Sequence, residues 1–182
     1  GTIDLGEFTI FLDGSNGYVH TWYDQSGYGN NFTQEIQSKQ PLLKLTEGIN
    51  WLPTLEFDGT DDFLDGGDIL DIGESNGLLV NMVASIGTMG GTLIQKGLGL
   101  NSWVIAYGAT GSGTIDFTFN DSTVNNSSTS ATTNDSNEIL TLSVDRNSET
   151  KAYSGFINNS TEFSGVSITE DSSYDFKSDS NV

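Results

Sequence analysis

Cysteine is absent from the 182 residues, histidine occurs once, proline twice, and lysine and arginine together only six times. Without cysteine the chain has no disulfide, no thiolate metal ligand and no thiol nucleophile. One histidine, His20, leaves a single base for any histidine-dependent triad and obliges a zinc site to rely on carboxylates. Its position in the run VHTWY places it on the strand face of Trp22, where a packed, hydrogen-bonded role is expected rather than catalysis. No apolar run approaches the roughly 20 residues of a membrane-spanning helix, and no basic start leads into an apolar stretch. Membrane insertion is therefore not expected. Gly1 stands where a methionine would begin a gene product, as expected of a processed chain or an excised domain.

What is plentiful is acid. Twenty-five aspartates and glutamates against six bases give a formal charge of -19, spread along the chain. Such a field opposes approach to nucleic-acid phosphates and anionic membranes, so no nucleic-acid partner is expected. It suits either a saline habitat, where salt screens the self-repulsion, or a secreted surface protein. Hydrophobic residues make up 35%, below the roughly 45 to 50% of an average globular chain. That deficit fits thin two-layer β structure in which each strand has one wet face. A length of 182 residues fits one domain over 1-182, read as a segment of a larger surface or virion protein.

Short apolar runs separated by glycine and acid-amide turns predict strands throughout and no helix. Phe8–Leu12 and Val19–Tyr23 come first, the second carrying apolar side chains on both faces and so expected to be covered. Strands at Leu42–Leu43 and Leu52–Phe57 follow, the latter turned by Asp58-Gly59-Thr60-Asp61-Asp62. The run LLVNMVASI, Leu78–Ile86, is the longest apolar stretch and predicts a central strand. Short strands are expected at Thr92–Gln95, Trp103–Tyr107 and Thr114–Phe119. The clearest alternation puts Leu140, Leu142 and Val144 on one face, so these should enter the core. Two more strands are expected at Lys151–Ile157 and Thr161–Ile168. Asn120–Asn137 is too polar for a core and reads as a long loop or an irregular strand pair, and 171–182 is a weak, acidic tail. Inward positions should include Phe11, Val19 or Trp22, Leu55, Phe57, Val80 and Met82, with Trp51 and Trp103 serving packing.

Three groups of residues bear chemistry. Tyr23 and Tyr28, with Asn30 beside them, offer rings for sugar faces and amide groups for hydroxyls. Asp24 either tightens the Ser26-Gly27 turn or ligates calcium together with Asn30, Asn31 or main-chain carbonyls, since calcium takes 6 to 8 oxygens. Asp61, Asp62 and Asp65 form the second acid-rich candidate, with calcium expected near Asp61 and Asp62 because clustered like charges call for solvent, salt or a cation. A glycosidase needs only two carboxylates, but no exposed acid pair with aromatic subsites stands out on one strand; Glu56 either points from its strand into a groove or lies on a solvated face.

The order Trp22-Tyr23-Asp24, Gln25–Asn31, Gln40-Pro41, then Phe57-Asp58-Gly59-Thr60-Asp61-Asp62, resembles the front half of the concanavalin A-like, laminin-G-like jelly rolls. Leu93-Ile94-Gln95-Lys96-Gly97 is similar to that family's short strand and lysine-glycine turn. The likeness spans about Phe8 to Gly165 and implies an all-β fold, a two-sheet antiparallel jelly-roll sandwich. It also implies glycan recognition at an extracellular, cell-surface or virion location, to which the acid clusters add calcium as the expected cofactor. The expected partner is a glycan or a neighbouring surface or virion protein. A structural decoration or spacer role and a glycoside hydrolase are the alternatives. Tyr23–Gly29 is also similar to a passage of fungal arabinofuranosidases that does not contain their catalytic acids, so their activity does not carry over.

Overall fold

A computed structural model describes residues 16–45, 51–70, 77–85, 91–97, 102–107, 115–120, 125–129, 137–145, 152–158 and 160–167. The strand expected at Phe8–Leu12 with Phe11 inward, and the tail 171–182, lie outside them. The protein is built almost wholly of antiparallel β-strands, with one 3-10 turn at Gln37–Lys39 among the described residues. No helix among those residues is long and apolar enough to cross a membrane. The chain falls into two compact units, Gly1–Ile69 and Leu70–Val182.

The first unit holds short strands: β1 (Gly17–Tyr18), β2 (Thr21–Trp22), β3 (Phe32–Thr33), β4 (Leu42–Lys44) and β5 (Thr54–Glu56). They form a three-stranded sheet in the order β1-β4-β5 and a two-stranded pair β2-β3. Val19–Tyr23 is thus not one covered strand. The chain turns off at Val19, whose N–H donates to the Pro41 carbonyl at 2.9 Å, and its two ends join different partners. The alternation holds through Gly17–Trp22, with Val19 and Thr21 half-buried and His20 and Trp22 on the open face, so Trp22 is 59% exposed instead of packed. Phe57 is also exposed, because β5 ends one residue earlier and releases it into the turn. Trp51, at φ 61, stands 80% exposed rather than serving the core. His20 is hydrogen-bonded, to Thr21 Oγ1 at 2.7 Å and Glu35 Oε2 at 3.1 Å, but its side chain lies open to solvent.

The buried residues of this unit, among those described, are Gln34, Gln40 and Pro41. Gln40 Nε2 donates to the Gln34 carbonyl at 2.6 Å, and Gln34 Nε2 donates to the Phe63 carbonyl at 3.3 Å. Gln34 Oε1 accepts from the Ile36 N–H at 3.0 Å, which sets up the turn at Gln37–Lys39. Buried amides are tolerated only when satisfied, so these bonds take the place that apolar packing holds elsewhere.

The second unit carries β6 (Leu78–Ser85), β7 (Gly91–Lys96), β8 (Ser102–Tyr107), β9 (Ile115–Asn120), β10 (Asn125–Thr129), β11 (Asn137–Asp145), β12 (Ala152–Ile157) and β13 (Ser160–Ser167). They make two four-stranded antiparallel sheets, ordered β10-β9-β8-β7 and β13-β12-β11-β6. Leu140, Leu142 and Val144 are buried as their alternation requires, and they sit in register with Ile157, Gly155 and Tyr153. Trp103, Ile105, Tyr107, Ile115 and Phe117 from the other sheet join them in one hydrophobic cluster. Burial of this kind stabilises by about 1.5–3 kcal/mol per large side chain.

Among the described residues β6 is the last strand of its sheet. Its apolar run is shared between two faces: Leu78, Val80 and Met82 pack against the core, while Leu79 and Val83 are exposed. Only one face of the sheet meets the cluster, so continuous hydrophobicity did not mean burial on both sides. The polar stretch after β9 does form a strand, β10, paired antiparallel with β9 in register Asn125↔Asn120 to Thr129↔Asp116. Main-chain bonding suffices there.

Truncating Leu142, fully buried, to alanine should cost about 2–5 kcal/mol in a denaturant titration. Leu79→Ala, on the exposed face, should change stability by about 0.5 kcal/mol or less. Equal losses at the two positions would contradict this facing.

Candidate functional site

The three-stranded sheet lines up three side chains in one row. Tyr18 pairs with Leu42, and Leu42 pairs with Glu56, so all three share a face across β1, β4 and β5. Lys44, two residues beyond Leu42, falls on that face as well and reaches Glu56 Oε2 at 3.0 Å. This face floors a groove of about 580 Å³. Gln37, Ser38 and Gln40 form one wall, supplied by the segment that the buried amides fix, and Asp58 and Asp62 stand at the other. Tyr18 is 48% exposed, half sunk in the sheet and half offered to the groove. Here an aromatic ring, two amides, a hydroxyl, an ammonium and three carboxylates converge.

The acids at the rim are held by their own turn. Asp58 Oδ1 accepts from the N–H groups of Thr60, Asp61 and Asp62 at 2.8, 3.2 and 3.4 Å, while Asp62 Oδ2 accepts from the Asp58 N–H at 3.0 Å. The bond from Thr60, then those from Asp61 and Asp62, hold the Asp58 carboxyl below the usual aspartate range against a smaller opposing desolvation. Gly59, at φ 71, supplies the left-handed backbone that this wrapping demands. Asp58, Asp61 and Asp62 each bring a carboxylate oxygen within 4.8 Å of the others, a spacing open to a cation. Lys39 Nζ lies 4.0 Å from Asp61 and 5.9 Å from the Phe63 ring centre, which ties this turn to the wall segment.

Asp24 organises a second loop. Its Oδ1 accepts from the Ser26 N–H at 2.7 Å, and its Oδ2 accepts from Ser26 Oγ at 2.7 Å and the Asn30 N–H at 3.1 Å. Asn31 Oδ1 closes the ring by accepting from the Asp24 N–H at 2.9 Å. The Ser26 hydroxyl, then the two N–H groups, hold the Asp24 carboxyl below its ordinary value. The turn-tightening geometry foreseen for Asp24 is therefore present, with Asn31 as its partner. Tyr23 and Tyr28 project from this loop, Tyr28 at 86% exposure, and Asn30 is exposed beside them.

Of the residues singled out from sequence, Asp61 and Asp62 are brought together, and Asp58 joins them. Asp24 and Asn31 are likewise brought together. Tyr18, Lys44 and Gln40 were not foreseen. Their one sequence signal is the parity of Leu42, Lys44, Thr54 and Glu56, and it becomes readable only once β1 is known to pair with β4. No family model matches the chain, and neither the curated proteins nor the solved structures offer a match.

Both aspartate loops should respond to acid in one direction. A carboxyl whose folded pKa is depressed contributes stability above its unfolded value of about 3.9, and that contribution is lost as pH falls through the folded value. Carboxyl-carbon NMR titrations of Asp24 and Asp58 should give midpoints below about 3.9, with the Ser26 and Thr60 amide signals moving in the same window. Midpoints at or above that value would show that the bonds do not form in solution.

Proposed function

We propose that the protein is a noncatalytic glycan-recognition domain of a cell surface, secreted protein or virion, and that the Tyr18 groove is its binding site. The observation that carries this reading is the row Tyr18-Leu42-Glu56 flanked by Gln37, Ser38, Asp58 and Asp62. A half-exposed ring gives a sugar face an apolar platform, and the amides and carboxylates around it match the hydroxyls at its edge. Two four-stranded antiparallel sheets sharing one core support the concanavalin A-like jelly roll as the architecture. The charge of -19 supports polar extracellular surroundings.

Calcium belongs to this proposal at the groove's rim. Asp58, Asp61 and Asp62 supply hard oxygen donors, and a cation there would offset their mutual repulsion. The same three-carboxylate groove favours a second reading, a glycosidase, in which Glu56 acts from the sheet floor. Asp58 suits only the ionised partner in that chemistry, since its bonds favour the charged form.

A glycan array should show binding that Tyr18→Ala weakens by about tenfold, corresponding to roughly 1.4 kcal/mol of lost stacking. Sugar release from a polysaccharide panel, abolished by Glu56→Gln without unfolding, would move the protein to the glycosidase reading. An inert intact assembly would assign it to structural decoration.

Calorimetry on chelator-dialysed protein should detect calcium, with a thermal shift that Asp62→Asn removes. A calcium response unaltered by that substitution would place the ion elsewhere. No response at all would remove calcium from the proposal.

A further inference from the structure

The polar groups of the groove are unbalanced. Among the described lining residues, Glu56, Asp58 and Asp62 set three carboxylates against the ammonium of Lys44, two formal negative charges in excess. That ammonium is engaged at 3.0 Å with Glu56. Gln40, 8% exposed, donates its Nε2 to the Gln34 carbonyl at 2.6 Å, which leaves its carboxamide oxygen as an acceptor. Asp58 is held in its charged form by the N–H groups of its own turn. The groove is thus rich in acceptors and in negative potential, and its occupant must bring donors.

We infer that the groove selects glycans whose sugars carry a protonated amine over neutral glycans, and neutral glycans over uronates. The inference rests on the glycan reading of the groove. A hexosamine ammonium brings three donors and a positive charge to the carboxylate wall, while its ring still stacks on Tyr18. A uronate brings acceptors and a negative charge, which both the wall and the whole-chain field oppose. Partly exposed ion pairs are worth little individually, so the preference over a neutral sugar is about fivefold at low salt. It should shrink toward unity at about 1 M salt, where the Debye length is near 3 Å.

The test uses the intact chain in chelating buffer and three soluble β1,4- or α1,4-linked probes: a glucosamine tetramer, cellotetraose and tetragalacturonate. Affinity at about 0.01 M salt should fall in that order, and added calcium should narrow the gap between the first two. The double variant Glu56→Gln with Asp62→Asn should lose the preference for the amine, its affinities for the glucosamine tetramer and cellotetraose becoming equal, and a preference that survives both substitutions would overturn the charge selection. Tyr18→Ala, which leaves the net charge unchanged, should weaken all binding. Undiminished glucosamine binding in Tyr18→Ala would show general attraction to an acidic protein and overturn the inference. Tyr18-dependent binding with cellotetraose or the uronate equal to or tighter than glucosamine would overturn the charge selection and leave the groove reading standing. No binding of any probe, alongside a glycan array in which no hit depends on Tyr18, would overturn both.

Discussion

Gln40 reaches the Gln34 carbonyl at 2.6 Å while Gln34 reaches the Phe63 carbonyl and the Ile36 N–H, and the groove wall hangs on these bonds. The residues between the two glutamines include the turn at Gln37–Lys39 that presents Gln37 and Ser38. The Phe63 N–H returns the connection to the Lys39 carbonyl at 3.1 Å, so the acidic turn and the wall are stitched from both sides. Buried amides make directional bonds, and direction is what a groove needs from its supports.

The two units of the chain are stabilised by different means. In the second, large side chains from two sheets share one cluster, which the hydrophobic effect holds with little regard to direction. In the first, the described buried residues are two glutamines and a proline, and loop carboxylates wrap their own N–H groups. Tyr18, Trp22, Tyr23, Tyr28 and Trp51 are all exposed there, whereas the described Trp103, Tyr107 and Tyr153 of the second unit are buried.

The acid content enters the structure in two ways. Asp24 and Asp58 act as local organisers, each accepting several hydrogen bonds that keep it ionised. Glu56 and Asp62 join Asp58 in giving the groove its sign, while Asp61 faces the Lys39 ammonium beside it. A turn that consumes one carboxylate thereby positions the others.

The sequence by itself determined the β class, the facing of Leu140, Leu142 and Val144, and the Asp24 turn. Each rests on short-range rules: alternation with period 2, turn residues, and a side chain two positions from the N–H it caps. Only the tertiary structure decided that Val19–Tyr23 divides between two partners, that Leu78–Ser85 is the last described strand of its sheet, and that Tyr18 shares a sheet face with Glu56 across Leu42. Those outcomes depend on which strand bonds to which, and register between segments that are distant along the chain leaves no mark in local spacing. The candidate groove was half legible for that reason: its acids announce themselves in a turn, but the ring and the amides join them only across hydrogen bonds between strands.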